Sequence, residues 1–117
     1  MALFFVSIMK KEYRVRKNEE FNAIIAKRRS VASGRFVIYS RKKELEHSRV
    51  GISVSKKLGN AVERNKIKRQ VRMMIQETVD FENCPKDLIV IIRPKYKENA
   101  YLDNRNDLEK LIKKAII

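Results

Sequence analysis

Apolar residues along this chain change period from block to block. Phe21, Ile24 and Ile25 recur at helical spacing behind Asn18, with Glu19 and Glu20 ahead of them and Lys27, Arg28 and Arg29 after. Acids suit the start of a helix and bases its end, so the pattern predicts a helix over residues 18–28 with Asn18 as its N-cap. Residues 35–39 are rich in β-formers and read as a strand, with Arg35, Val37 and Tyr39 on one face and Phe36 and Ile38 on the other. Residues 49–55 alternate cleanly, placing Val50, Ile52 and Val54 inward and Gly51, Ser53 and Ser55 outward. Gly59-Asn60 breaks the chain ahead of a helix over 61–79, whose apolar stripe is Ile67, Val71, Met74, Ile75 and Thr78. The unbroken run Leu88–Ile92 predicts a strand covered on both faces, ended by Pro94. A last helix over 103–116 carries Leu108, Leu111, Ile112, Ala115 and Ile116 on one side. The order α-β-β-α-β-α predicts an α+β fold, an α-β sandwich with helices packed on a small sheet.

Charge changes this picture most at the helix over 61–79. Seven lysines and arginines lie between Lys56 and Arg72, against one acid, Glu63. Opposite the apolar stripe, Lys66, Lys68, Arg69, Arg72 and Asn65 fan across the helix, with Arg64 at the border. One helix can therefore pack on a core and present a cationic face to a polyanion. The chain of 117 residues has a net charge of +14, while its 44% hydrophobic content is that of a globular protein rather than a disordered basic tail. So large and clustered an excess contributes nothing to folding and points to an anionic partner.

Other classes find less support. His47 is the only histidine and sits in a charged connection, read as a solvated loop residue. The acids are scattered singly, with no close group to hold two metal ions, and three glycines supply no phosphate-binding loop. Catalysis by the polypeptide alone is not expected, and neither a metal bound by the protein nor a small-molecule substrate is. Cys84, the only cysteine, reads as a buried, inert thiol in a reducing cytoplasm. No segment is a membrane span, and the apolar stripe of the basic helix is needed for the core, which argues against a membrane partner. Residues 1–8 read as an over-long gene start or a disordered extension, leaving residues 9–117 as a single RNA-binding domain.

Two surfaces emerge. Along the basic helix, lysine offers a mobile charge and arginine a planar fork for phosphate oxygens, and the preceding turn, Leu58-Gly59-Asn60, could offer free backbone N–H groups as well. Phe21, Tyr39, Ser53 and Ser55 could form a groove for a single strand, rings stacking on bases and hydroxyls bonding phosphates. For Phe21 a place in the core is the competing reading.

The segments Lys17-Asn18-Glu19-Glu20-Phe21, Arg49 to Lys57 and, above all, Gly59-Asn-Ala-Val-Glu-Arg64-Asn65-Lys-Ile-Lys-Arg69 closely resemble the protein subunit of bacterial ribonuclease P, whose signature is the Arg-Asn-Lys-Ile-Lys-Arg core. The resemblance runs from about Met9 to Ile117. It implies a left-handed β-α-β crossover built from the strand at 49–55, the basic helix and the strand at 88–92. It implies a partner, the catalytic ribonuclease P RNA, and a substrate, precursor tRNA. The RNA removes the 5′ leader with Mg2+ that it mainly holds itself. Carried over, Lys57, Asn60, Arg64, Asn65, Lys66, Lys68, Arg69 and Arg72 would meet the RNA subunit, while Phe21, Tyr39, Ser53, Ser55 and Lys56 would line the leader cleft. Two departures stand out: Ile25 replaces a second aromatic, and Arg28-Arg29 stand where relatives often carry glycine just after the first helix. The alternative within RNA binding is a general structured-RNA or ribosome-associated protein.

Overall fold

Three of the four strands of the single sheet form because two apolar-alternating segments and one fully apolar segment can each bury a face only against helices. The computed structural model describes residues 10–117, so the expectation for residues 1–8 lies outside it. In chain order the elements are α1 (Asn18–Ala26), β1 (Ser30–Ala32), β2 (Phe36–Lys42), β3 (Val50–Val54), α2 (Ala61–Thr78), β4 (Lys86–Ile92) and α3 (Tyr101–Ile116), with 3-10 turns at Lys11–Tyr13, Lys56–Leu58 and Pro94–Glu98. The sheet order is β1-β2-β4-β3. β2 runs antiparallel to both β1 and β4, whereas β3 and β4 are parallel neighbours joined through α2, the β-α-β connection the resemblance implies.

The two faces of the sheet differ. Phe36, Ile38, Val50, Leu88, Val90 and Ile92 point into the main core, where Ile67, Val71, Met74 and Ile75 of α2 and Leu108, Leu111, Ile112 and Ala115 of α3 meet them. The opposite face carries a smaller cluster, Val15, Ile24 of α1 and Ile89, flanked by half-buried Phe21, Ile25, Tyr39 and Ile91. The run Leu88–Ile92 is thus covered on both faces as predicted, completely at Ile89 and only partly at Ile91.

Several expectations are corrected. β1 was not predicted, since Ser-Val-Ala has no periodicity of its own and is held by pairing, Ser30 opposite Tyr39. β2 and β4 reach beyond the apolar residues, because Arg41 opposite Asp87 and Lys42 opposite Lys86 continue the ladder. The first helix ends at Ala26, and Asn18 lies inside it; the residue ahead of it, Lys17, makes no side-chain cap. His47 is half-buried, edge-on to Tyr13 at 5.1 Å, while Tyr13 stacks on Phe81 at 4.5 Å. Cys84 is buried, as expected.

Candidate nucleic-acid interface

Helix α2 begins on a capping box. Asn60 Oδ1 accepts from Glu63 N–H at 2.9 Å, and Glu63 Oε1 accepts from Asn60 N–H at 3.2 Å. Glu63 also accepts from Lys97 at 3.1 Å; that bond and the one from Asn60 hold its carboxyl below the usual range. The single acid of the basic segment therefore starts the helix and answers a cation outside it. The turn does not offer the free N–H groups that its sequence suggested. Leu58 and Gly59 donate to the carbonyls of Ser55 and Lys56 within the 3-10 turn, and Asn60 donates to Glu63. Ser55 accepts from Lys57 N–H at 3.0 Å, which leaves its own hydroxyl hydrogen available.

Helical geometry sends the cations of α2 in three directions. Asn65 and Arg69 are exposed on the outer side. Lys66 turns toward Tyr96 and Lys97, and with Glu63 and Gln70 borders a cavity of about 260 Å³. Lys68 and Arg72 turn to the outer edge of β3. Arg64, half-buried, donates from Nε to the carbonyl of Asn60 at 3.4 Å. Among the described residues no ion pair engages Arg64, Lys66, Lys68, Arg69 or Arg72.

At the β3 edge lies a cavity of about 300 Å³, bordered by Arg14, Arg16, Phe21, Gly51, Lys68 and Arg72 and by no carboxylate. Arg14 and Val15 run alongside β3, Val15 N–H donating to the carbonyl of Val50 at 3.1 Å. Burial and the neighbouring Arg14 both lower the proton affinity of Arg72. Arg14 and Arg16 were missed from sequence because they follow a short turn with no pattern. The β-bridge of Arg14 to Val50 brings them beside α2.

The predicted cleft residues share the α1 face. Register places Tyr39, Ile89 and Gly51 in one row across the sheet and Val37, Ile91 and Ser53 in the next. α1 covers the first row: a Cβ on Gly51 would come within 2.6 Å of the Phe21 ring. The second row is half-buried and open, with Phe21 and Tyr39 beside it, and Ser55 and Lys56 are exposed beyond Ser53. Phe21 is thus both core and wall. The main helix packing of α2 is on the other face, so cleft and basic helix meet only around the β3 edge.

The comparisons with known proteins decide the family. The model of the Ribonuclease P family matches residues 9–116. The chain belongs to the ribonuclease P protein family. It is 52% identical over 85 residues to the ribonuclease P protein component of an Exiguobacterium species, covering 73% of this chain and 74% of that one. It is 47% identical over 108 residues to that of Staphylococcus aureus, 92% and 93% of the two chains. A solved Staphylococcus aureus RNase P protein matches with a TM-score of 0.78 at 45% identity, covering 88% of this chain and 94% of that one. The RNase P protein from Thermotoga maritima matches at 0.74 and 30% identity, covering 86% and 96%. The chain is accordingly a protein subunit of a tRNA-processing ribonucleoprotein endoribonuclease whose partner is the RNase P RNA. The general RNA-binding alternative is not favoured. No helix among the described residues is long and apolar enough to cross a membrane.

Proposed function

We propose that this ribonuclease P protein, acting in the cytoplasm, holds the 5′ leader of precursor tRNA on the open row of its sheet and lies against the catalytic RNA along α2. The observation that carries the reading is the carboxylate-free cavity at the β3 edge, where Lys68 and Arg72 of α2 meet Phe21 of the cleft. Phosphates there would be neutralised by both surfaces at once. Lys57, Asn60, Arg64, Asn65, Lys66, Lys68, Arg69 and Arg72 serve the RNA subunit in this reading; Phe21, Tyr39, Ser53, Ser55 and Lys56 serve the leader. Arg14 and Arg16 join them.

The protein side does not fit as a ligand set for magnesium. The face is built of lysine and arginine, and no group of three or more His, Cys, Asp or Glu residues converges among the described residues. Mg2+ belongs to the RNA in this reading, and the contribution of the protein is positive charge that offsets repulsion between leader and catalytic RNA. Its effect should therefore be largest at low magnesium, where ionic screening is weakest.

Cleavage of a precursor tRNA at low magnesium tests this directly, with protein alone, a bacterial ribonuclease P RNA alone and the mixture. Strong 5′ maturation in the mixture only is the expected result. Cleavage by the protein alone, or RNA binding with no gain in the mixture, would overturn the proposal.

A further inference from the structure

A second cationic groove lies on the far side of the sheet. The β1–β2 ladder pairs Ser30 with Tyr39, and Ser40 N–H donates to the carbonyl of Arg29 at 3.0 Å. This pairing lays the run Lys27-Arg28-Arg29 beside the run Arg41-Lys42-Lys43, although more than ten residues of chain separate them. Between the runs is a groove of about 600 Å³ bordered by Lys27, Arg29, Arg41, Lys42 and Lys86, with Glu44 the one carboxylate. Two of these cations are committed elsewhere. Arg41 pairs with Glu44 at 3.0 Å and Asp87 at 3.3 Å, and Lys86 donates to the carbonyls of Ala115 and Ile117. Lys27, Arg29 and Lys42 are exposed and make no ion pair among the described residues.

The groove is set apart from the interface described above. It opens at the end of the sheet marked by Lys42 and Lys86, whereas α2 starts beyond Val54 and Ile92 at the other end. It is bordered by the ends of β2 and β4 together with Lys27 and Arg29, and its β2 side lies two strand intervals, roughly 10 Å of backbone, from β3. Arg28, between Lys27 and Arg29 but not itself bordering the groove, sits at φ 56°, in the left-handed region where helices commonly end and glycine is the residue without penalty.

We propose that this groove binds the phosphate backbone of a second RNA segment, so that the protein joins RNA at the Lys42–Lys86 end of its sheet as well as at the β3 edge. The inference rests on the reading above for the first contact. Phosphates of the catalytic RNA and those of the leader upstream of the cleft have the same chemistry, and the arms of the test separate them.

The test uses the triple variant Lys27→Gln, Arg29→Gln and Lys42→Gln, with circular dichroism and Tm confirming the fold. One arm measures affinity for the catalytic RNA across a salt series. The other measures affinity of the assembled enzyme for precursor tRNAs with short and long leaders. Each phosphate contact contributes about 0.7–0.9 to the slope of log K against log salt, so the slope should fall by about two to three in one arm. A fall in the first arm assigns the groove to the catalytic RNA. A fall confined to long leaders assigns it to the upstream leader. Unchanged slopes in both arms overturn the inference, and Arg69→Gln, measured alongside, shows separately whether the first contact stands.

Discussion

At the scale of single residues, the cleft depends on an atom that is absent. Gly51 gives no hydrophobic signal in the sequence, yet its missing Cβ is the space that the Phe21 ring fills, and a Cβ there would also lie 2.8 Å from Ile89 Cδ1. Gly51→Ala should cost about 1–3 kcal/mol through overpacking, with Phe21 displaced from the wall. Binding of precursor relative to mature tRNA checks the second effect: the variant should lose discrimination while keeping its affinity for the catalytic RNA. Arg28 presents the reverse case. Its left-handed backbone was foreshadowed by the glycine that relatives often place there, although sequence alone read the residue as part of a helix. Arg28→Gly should relieve the strain and raise stability by about 0.5–1 kcal/mol, a Tm gain of a few degrees. Denaturant unfolding beside a salt-titrated RNA-binding assay should show stability rising as the salt slope falls. Alternation revealed that Ser53 faces away from Val54; it could not reveal a backbone angle or an empty volume.

Elements were legible in proportion to how much of their stability is local. α2 was placed to within a residue, because the Gly59-Asn60 break and the apolar stripe are both written locally in the sequence; the capping box that fixes its start was not read. β1 was invisible, because only its partner strand makes it a strand. The ends of β2 and β4 were invisible for a related reason: they are held by a network in which Asp87, 1% exposed, accepts from Arg41 Nε at 3.3 Å and from Arg49 N–H at 3.0 Å. Glu20 of α1 pairs with Arg49 in the same network, so this ion pair ties the helix that carries Phe21 to the sheet. The hydrogen bond from Arg49 holds the Glu20 carboxyl below its ordinary value. A carboxyl with a depressed folded-state pKa adds stability that is complete above its unfolded value, about 4.3, and is lost as pH falls through the folded value. Glu20→Gln should therefore lower stability at neutral pH and flatten the acid limb below about pH 4. Thermal unfolding from pH 3 to 7 checks this, and parallel curves for variant and parent would show that Glu20 does not anchor α1.

The whole molecule shows why a net charge of +14 on 117 residues could announce an anionic partner without locating it. Composition counts charges, whereas the topology distributes them: the β-bridge at Val50 brings Arg14 to Lys68 and Arg72, and the β1–β2 ladder brings Lys27 to Lys42. Half of the candidate interface, the α2 signature, was contiguous and therefore readable; the other half is assembled across strands. Two RNA contacts at separate places on one sheet make a quantitative demand. Substitutions farther apart than about 7–10 Å with no shared partner add in free energy. Arg69→Gln and the groove triple variant share no hydrogen bond or ion pair, so their losses of affinity for the assembled RNA should sum to within about 0.5 kcal/mol in the combined variant. A combined loss well short of that sum would mean that both contacts grip the same RNA segment, each replaceable by the other. A loss well beyond it would mean that holding one segment positions the second, which a fluorescence-anisotropy titration of the four proteins on one RNA would resolve.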